Sequence, residues 1–355
     1  MKVQIFTILD YNYGNRLQNY ALQEIFKKYN FDVSTFGSNR GCKNNIMSRI
    51  SDNFLKRNLK NLYRLLRNFK RHDYKKINGK AFKEFNRKLV FEKKIDYNAD
   101  YYITGSDQVW NLKLFPSQYH FMLGFNKEKK KNIAIAPSIC SYSLSKNDKD
   151  EISKYIYNFK ALSCREEQGT QLLKDNFNVD CHTIIDPTLM LSKEEWMKIE
   201  KKPMYLKKPK YILTYFLGTL SIDRRELINK LADLEGLAII EVPSFKRRTQ
   251  IGPSEFIYLI HHAELILTDS YHALIFSYIF EKNVRVLTRE QLGTIGMNSR
   301  MESLKKILDL NADVFCNNED IMAASKNKII FSYDNLILEQ KKFENYINKI
   351  IFNND

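Results

Sequence analysis

Residues 263–287 read AELILTDSYHALIFSYIFEKNVRVL, and this stretch decides the fold class. The apolar run Leu265–Leu267 has the length of a buried strand, and a polar turn leads from it into the apolar helical run Ala273–Phe280. A second short apolar run, Val284–Leu287, follows after another polar turn. A strand, a helix and a second strand in this order predict a βαβ unit with parallel strands.

The same alternation recurs over most of the chain. Further strands are predicted at Met1–Leu9, Phe31–Val33, Tyr101–Thr104, Asn132–Ala136, Ala161–Ser163, His182–Ile185, Tyr211–Phe216 and Leu237–Val242. Further helices are predicted from Leu17 to Phe26 and over Asp223–Leu234, Ser254–His262 and Asn335–Phe352. The pattern predicts an α/β protein whose sheets are mostly parallel.

A break in the alternation near Lys201–Lys210, which contains two prolines, divides the chain. We predict a Rossmann-like domain over 1–202, with a basic helical insertion at about 50–95, and a second Rossmann-like domain over 203–330 that faces it across a cleft. The segment 331–355 is predicted as a C-terminal helix. The sequence leaves open whether that helix crosses back to the first domain.

The composition excludes several classes of protein. Of 355 residues, 44% are hydrophobic, which is enough to bury two cores and argues against disorder. The first thirty residues do not resemble a signal peptide, and no window approaches the ~20 apolar residues of a membrane span, so we expect a cytoplasmic protein. The five cysteines are scattered, which predicts free thiols, and the sequence offers no obvious metal cage.

The net charge of +16 is concentrated in one segment. Lys56–Lys94 holds fifteen Lys or Arg and three acids, which gives 15 − 3 = +12. Apolar residues recur within it at helical spacing, at Leu55, Leu59, Leu62, Leu66 and Phe69. A basic amphipathic helix can bind an anionic membrane surface or a phosphate-bearing ligand. A solvated surface helix explains the pattern equally well.

Two loops of the first half follow predicted strands, which is where open α/β sheets bind ligands. In Asn12-Tyr-Gly14-Asn15 the glycine lets a ligand approach the backbone, although a plain tight turn fits as well. In Gly105-Ser-Asp-Gln-Val-Trp-Asn111 the carboxylate of Asp107 can accept hydroxyl protons, and Trp110 can stack on a sugar ring. The alternative for the second loop is a helix cap with a buried tryptophan.

Two further loops place charged residues at a turn from strand to helix. Arg165 lies near a helix start, where a cation is unfavourable unless it faces an anion; an ion pair with Glu166 or Glu167 is the simpler explanation. His272 can exchange a proton near neutral pH, or it can be a buried structural histidine. Downstream, Lys282 and Arg300 can reach a phosphate or can be solvated charges.

Seven short motifs, in this order, resemble the polysaccharide pyruvyl transferase family. They are Gly14-Asn15-Arg-Leu-Gln-Asn19, Gly105-Ser-Asp-Gln-Val-Trp-Asn111, Ser163-Cys-Arg-Glu-Glu-Gln-Gly169, Asp186-Pro-Thr-Leu, Ile251-Gly-Pro-Ser-Glu-Phe256, Thr268-Asp-Ser-Tyr-His272 and Met297-Asn-Ser-Arg300. The resemblance implies a fold like the two-domain GT-B glycosyltransferases. It also implies phosphoenolpyruvate as the donor and a pyruvate ketal on two hydroxyls of one hexose as the product.

The resemblance also implies roles for single residues. His272 matches the catalytic histidine, Arg165 the arginine on the donor, and Lys282 a basic residue near the donor. We expect a catalytic group of His272, Asp107 and Asp269. We expect a donor-binding group of Arg165, Lys282, Ser270, Tyr271 and Arg300, and an acceptor-binding group of Asn12, Gly14, Asn15, Ser106, Trp110 and Asn111. Phosphoenolpyruvate is then a co-substrate, and neither a metal nor another cofactor is expected.

One departure from the family concerns the donor. Well-understood members carry an arginine two residues before the histidine, where this chain has Ser270. The donor carboxylate or phosphate therefore lacks one bidentate partner. Arg300, Arg289 or Lys282 are candidates to replace it, and a changed donor or an inactive protein stays open.

The remaining expectations concern partners and rival functions. Surface polysaccharides are commonly assembled on a polyprenyl diphosphate, so we expect a lipid-linked, anionic acceptor that Lys56–Lys94 can help to hold at the inner face of the cell membrane. A GT-B glycosyltransferase that uses a nucleotide sugar is the first rival. A nucleic-acid-binding protein is the second, but the sequence shows no known module for it, so no nucleic acid is expected.

Overall fold

The protein is built on two five-stranded parallel sheets joined in one chain. The computed structural model describes residues 1–37, 78–204, 206–207, 210–218, 220–242, 250–289, 298–311, 314–326 and 329–351. Its strands are β1 (Lys2–Phe6), β2 (Asp32–Phe36), β3 (Phe91–Glu92), β4 (Tyr101–Thr104), β5 (Asn132–Ala134), β6 (Leu162–Cys164), β7 (Cys181–Thr183), β8 (Tyr211–Tyr215), β9 (Ala238–Val242), β10 (Leu265–Thr268), β11 (Val284–Leu287) and β12 (Phe315–Cys316). Its labelled α-helices are α1 (Tyr13–Lys28), α2 (Lys146–Ser153), α3 (Glu167–Phe177), α4 (Lys193–Met197), α5 (Ile222–Glu235), α6 (Pro253–His261), α7 (Tyr271–Ile279), α8 (Asn298–Ile307) and α9 (Asp334–Ile351).

The first sheet has the strand order β3-β2-β1-β4-β5, and all its pairs are parallel. The order reverses between β1 and β4, so the loops that follow these two strands diverge and leave a crevice at their carboxyl ends. The pair β6 and β7 extends this side of the molecule through a bridge between Ile133 and Ala161.

The second sheet has the order β9-β8-β10-β11-β12, again all parallel. Its strand order reverses between β8 and β10, which gives a second crevice. The strands β8, β10 and β11 are buried along their whole length, because helices cover both faces of the sheet.

One hydrophobic core runs through both sheets. Its members include Val3 and Ile5 of β1 and also Tyr211 and Leu213 of β8. At the junction the ring of Tyr13 stacks on Phe256, with centroids 4.5 Å apart and planes 10° apart. The two sheets therefore share apolar contacts, and unfolding of either sheet would break contacts of the other.

The C-terminal helix α9 packs against the first sheet. Its Tyr346 hydroxyl donates to the carbonyl of Ala134, and the Lys160 ammonium donates to the carbonyl of Ile350. Buried Phe343 and Ile347 belong to the core that both sheets share.

The α/β class with parallel sheets is confirmed. The domain limits at 202 and 330 stay predictions. Of the predicted basic insertion, residues 50–77, with the helical stripe of leucines, lie outside the described residues; residues 78–85 are helical. None of the helices in the described part combines the length and apolar character that crossing a membrane requires. The described cysteines, Cys140, Cys164, Cys181 and Cys316, are buried thiols.

Candidate active site

The polar loops predicted from the sequence meet where the two crevices face each other. The loop after β4 carries Asp107, and the segment after β7 carries Asp186. The turn after β10 carries Ser270 and His272 at the start of α7. Residues from both sheets therefore form one cluster.

The Asp186 carboxylate is the centre of this cluster. Its Oδ1 accepts from the amide and hydroxyl of Thr188, and its Oδ2 accepts from the Ser106 hydroxyl at 2.9 Å and from Nη1 of Arg165 at 2.7 Å. Burial opposes ionisation, but His272 and Arg165 hold the pKa of Asp186 well below its usual range. The side chain is therefore a buried carboxylate ion that faces two basic groups.

Arg165 is fully buried beside this carboxylate. Its guanidinium carbon lies 4.2 Å from the ring centroid of Tyr271, and Nη2 lies 4.0 Å from Asp107 Oδ1. Burial alone would lower the pKa of Arg165, but Tyr271 and the carboxylates of Asp186 and Asp107 raise it above its ordinary value. Among the described residues, its Nε and Nη2 have no hydrogen-bond partner. Two buried N–H groups are thus available to an anionic ligand.

His272 enters the cluster from α7. Its Nε2 lies 3.6 Å from Asp186 Oδ2 and has no hydrogen-bond partner in the part of the chain that the structure describes. Its other nitrogen lies against the backbone of Gly14: a Cβ at residue 14 would be 2.1 Å from Nδ1. The imidazole of the second sheet therefore rests on the start of α1, and only glycine leaves it room there.

The start of α1 brings the predicted acceptor residues close to Asp107. The Asn12 side chain caps α1 by accepting from the amide of Asn15, and the Asn15 amide group donates to Asp107 Oδ2. Asp107 itself has φ of 79°, a backbone conformation that is strained for a residue other than glycine. Gly14 therefore contacts His272, and Ser106 and Asp107 lie against Asp186 and Arg165. Asn15 joins them through Asp107, and Asn12 through Asn15.

A model of the polysaccharide pyruvyl transferase family matches residues 12–291, which include this whole cluster. The chain belongs to the polysaccharide pyruvyl transferase family. It is therefore a transferase, and the sequence resemblance is confirmed.

Solved structures support the fold alone. A putative UDP-N-acetylglucosamine 2-epimerase from Listeria monocytogenes is 11% identical, with a TM-score of 0.52, over 98% of this chain and 96% of that chain. The UDP-GlcNAc 2-epimerase of Methanocaldococcus jannaschii, in complex with UDP-GlcNAc and UDP, is 16% identical, with a TM-score of 0.50, over 99% of this chain and 100% of that chain. These are GT-B proteins, which confirms the predicted GT-B-like fold. No curated protein matches the chain.

Trp110 of the transferase does not have the position that sugar stacking requires. Its side chain is fully buried, its indole N–H donates to the carbonyl of Phe121, and its ring packs edge-on against Phe159. The prediction of a stacking role is wrong, and the alternative of a buried tryptophan is correct. Asn111 lies beside it and bonds to the side chain of Gln108.

Lys282 of the transferase is also misplaced by the sequence prediction. It follows the C-terminus of α7, whereas His272 lies in the first turn, and the seven residues from His272 to Ile279 already span ~10 Å at ~1.5 Å rise per residue. Burial lowers the pKa of Lys282, and the charges that act on it are those of Glu264 and Lys193. It therefore does not reach a donor held by Arg165 and His272.

Ser270 and Asp269 hold the turn before His272. The Ser270 hydroxyl caps α7 by accepting from the amide of Ala273, at 3.4 Å. Asp269 accepts from the amides of Leu217 and Gly218 and from Nε of Arg289. Both oxygens of Asp269 are therefore occupied in tying the turn to the loop after β8.

A cavity of about 320 Å³ lies beside the cluster in the second sheet. Tyr271, Arg289 and Arg300 contribute its aromatic and cationic wall. The guanidinium carbon of Arg300 is 5.9 Å from the Tyr271 ring centroid, and within the described ranges its Nε lacks a hydrogen-bond partner. Arg165 and Arg300 thus both lie over the ring of Tyr271.

The sequence prediction missed the central residue of the cluster, Asp186. Asp186 was quoted within a motif but was given no role, although it follows an apolar run as His272 does. Glu166 does not pair with Arg165; its Oε1 accepts from the Ser138 hydroxyl and from the amides of Ile139 and Cys140. The simpler explanation of Arg165 as a surface ion pair is therefore wrong.

Proposed function

We propose that this transferase moves the pyruvyl group of phosphoenolpyruvate onto two hydroxyls of one hexose, as a ketal, in a lipid-linked precursor of a surface polysaccharide. The observation that carries the proposal is the convergence of His272 and Arg165 on Asp186, with nitrogens on both basic residues that have no hydrogen-bond partner within the described ranges. Phosphoenolpyruvate is a small anion with a carboxylate and a phosphate, and it needs buried cations and a proton donor.

The proposed reaction balances without any further reactant. His272 protonates the methylene carbon, a sugar hydroxyl attacks the neighbouring carbon, phosphate leaves, and a second hydroxyl closes the ring. The two hydroxyls release two protons. One replaces the proton given to the methylene, and the other leaves with phosphate. General acid catalysis by a positioned group contributes about 10²–10⁴-fold.

The other residues have positioning and binding roles in this proposal. Arg165 binds a donor anion through Nε and Nη2, and Arg300 supplies a second cation in place of the arginine that Ser270 replaces. Asp186 orients both basic groups, Asp107 with Asn15 orients the acceptor hydroxyls, and Asp269 fixes the turn that carries His272.

The decisive experiment incubates the purified protein with phosphoenolpyruvate and candidate lipid-linked glycans. We expect release of phosphate together with the mass gain of a ketal on the glycan. A parallel reaction with UDP-sugars in place of phosphoenolpyruvate tests the glycosyltransferase alternative. Glycosyl transfer without any response to phosphoenolpyruvate would refute the proposal.

Variants assign the roles. His272→Gln keeps a polar side chain of similar reach and should abolish ketal formation while the melting temperature stays close to that of the wild type. Arg165→Lys keeps the charge, loses the forked donor and should raise the KM for phosphoenolpyruvate strongly. Lys282→Ala serves for comparison and should leave that KM unchanged. A KM that rises for the acceptor alone would place Arg165 in the sugar site.

The basic segment Lys56–Lys94 supports the lipid-linked part of the proposal through its charge of +12. Attraction to an anionic surface contributes ~1 kcal/mol per basic residue close to it. Co-sedimentation with liposomes should therefore increase with the fraction of anionic lipid and decrease with salt. Equal recovery of the protein with neutral and anionic vesicles would show that the segment is a solvated surface that does not bind anionic membranes.

A further inference from the structure

Three possible metal ligands meet on the side of α6 where that helix ends. The Oε2 of Glu200 lies 2.8 Å from Nδ1 of His261, and its Oε1 lies 3.4 Å from Nε2 of His262. One ligand atom from each of the three side chains lies within 4.8 Å of the others. None of the three belongs to the cluster around Asp186.

Aromatic neighbours fix both imidazole rings. His261 stacks on Phe280 with centroids 4.5 Å apart and planes 20° apart. His262 stacks on Tyr258 at 4.1 Å and 27°. Because the stacking restricts rotation of the rings, their nitrogens are held toward Glu200 before any ligand arrives.

We propose that Glu200, His261 and His262 bind one divalent transition-metal ion, and that Zn²⁺ suits the site best. Two imidazoles and a carboxylate form a common ligand set of zinc, with bonds of ~2.0–2.2 Å and a fourth position for water. In a tetrahedral site such bonds place the ligand atoms ~3.3 Å apart. The separations of 2.8 and 3.4 Å require only small rotations of the side chains, and the metal takes the place of the hydrogen bond between His261 and Glu200.

The site joins the two halves of the chain. Glu200 follows α4, near the end of the first half, whereas both histidines end α6 of the second half. The neighbouring Lys201 already connects the same elements, since its amide donates to the carbonyl of Ser254 and its ammonium lies 3.5 Å from Glu255. A bound ion adds a further link between the two halves, at residues that take no part in the proposed transfer.

The test is calorimetric titration of the full-length protein with Zn²⁺ alone. We expect one ion per chain, and a rise in melting temperature that saturates at the same ratio. Glu200→Gln and His262→Phe each remove one ligand, and the phenylalanine keeps a ring on Tyr258. Each should weaken binding by more than tenfold, since even the loss of a supporting group costs about 10–100-fold.

The matched control is His182→Phe. His182 is half exposed and lies 3.5 Å from the Asp180 carboxylate, but within the described residues the two are not part of a group of three possible metal ligands. This variant should bind Zn²⁺ as the wild type does. Absence of binding to the wild type, or equal binding by the wild type and both ligand variants, would overturn the proposal.

Discussion

At the scale of the residue, the transferase depends on a contact between a glycine and a histidine that are far apart in sequence. Gly14 lies in the first turn of α1, where alanine would normally favour the helix by about 1 kcal/mol. Here the imidazole of His272 occupies the place of the missing side chain. The glycine is therefore a requirement of the site and not of the helix.

Gly14→Ala should displace the imidazole and reduce kcat by at least about tenfold, because a misplaced catalytic group loses its alignment. The measurement is steady-state phosphate release, with circular dichroism to show that the helix is retained. Gly79→Ala is the matched control, since among the described residues its Cβ would meet just the Tyr11 ring, at 3.9 Å. A fully active Gly14→Ala protein would show that the position of His272 is not critical.

Asp186→Asn should lower the free energy of unfolding by about 3–5 kcal/mol at neutral pH, because it leaves buried Arg165 without its ionised partner. The folded-state pKa of Asp186 is depressed, so its contribution is fully present above the unfolded value of ~3.9 and is lost as the pH falls further. The free energy of unfolding, measured by urea denaturation, should thus differ between the variant and the wild type by an amount that decreases as the pH is lowered. Substitution of the exposed Asp175 by Asn should leave the free energy of unfolding unchanged. If the Asp186→Asn variant and the wild type differed by the same amount at every pH, the ionised state of Asp186 would not be the source of its stabilising effect.

At the scale of the element, α7 carries in its first turn the histidine that we propose as the proton donor. Its N-cap, Ser270, is the position at which the family resemblance expects an arginine. The hydroxyl satisfies the amide of Ala273 and so fixes the turn from which His272 projects. At position 270, where the resemblance expects an arginine, this chain therefore has a residue that caps a helix.

Ser270→Ala should cost about 1 kcal/mol of stability through the lost cap, whereas Ser270→Thr should retain most of it. Thermal unfolding followed by circular dichroism measures both. Turnover should fall in the alanine variant and recover in the threonine variant, since the cap orients the turn. Equal effects of the two substitutions would mean that the hydroxyl does not support α7.

At the scale of the whole molecule, the contact of Tyr13 with Phe256 fixes the position of the two sheets relative to each other. Phe256→Ala should lower the free energy of unfolding by about 3–5 kcal/mol. It should also raise the KM for phosphoenolpyruvate, because in the proposed function residues from both sheets bind the donor. Phe177→Ala is the comparison: Phe177 lies in a separate core of the first half, so its loss should reduce stability with little change in that KM. Chemical denaturation and kinetics distinguish the two variants. An unchanged KM in Phe256→Ala would show that this packing does not affect donor binding.

The sequence predicted the strands of three or more residues, because each of their apolar runs is buried by neighbouring elements. It did not reveal Phe91–Glu92 or Phe315–Cys316, since two-residue strands are too short to show a period. His272 and Arg165 stood out because a polar group at a strand end departs from the apolar pattern. Trp110 was misassigned because its burial depends on tertiary packing, which a local pattern does not contain. Lys282 was assigned from the family resemblance, although its place after the predicted helix Ala273–Phe280 already separates it from His272.

The contact of the His272 ring with Gly14 also has a consequence for the proposed reaction. The proposed proton donor, His272, belongs to the second half of the chain, while Asp186 and Arg165 belong to the first half. Any separation of the two halves would take the imidazole away from the carboxylate and the guanidinium, so the proposed transfer requires that the halves stay in contact. The absence of a side chain at residue 14 permits that contact.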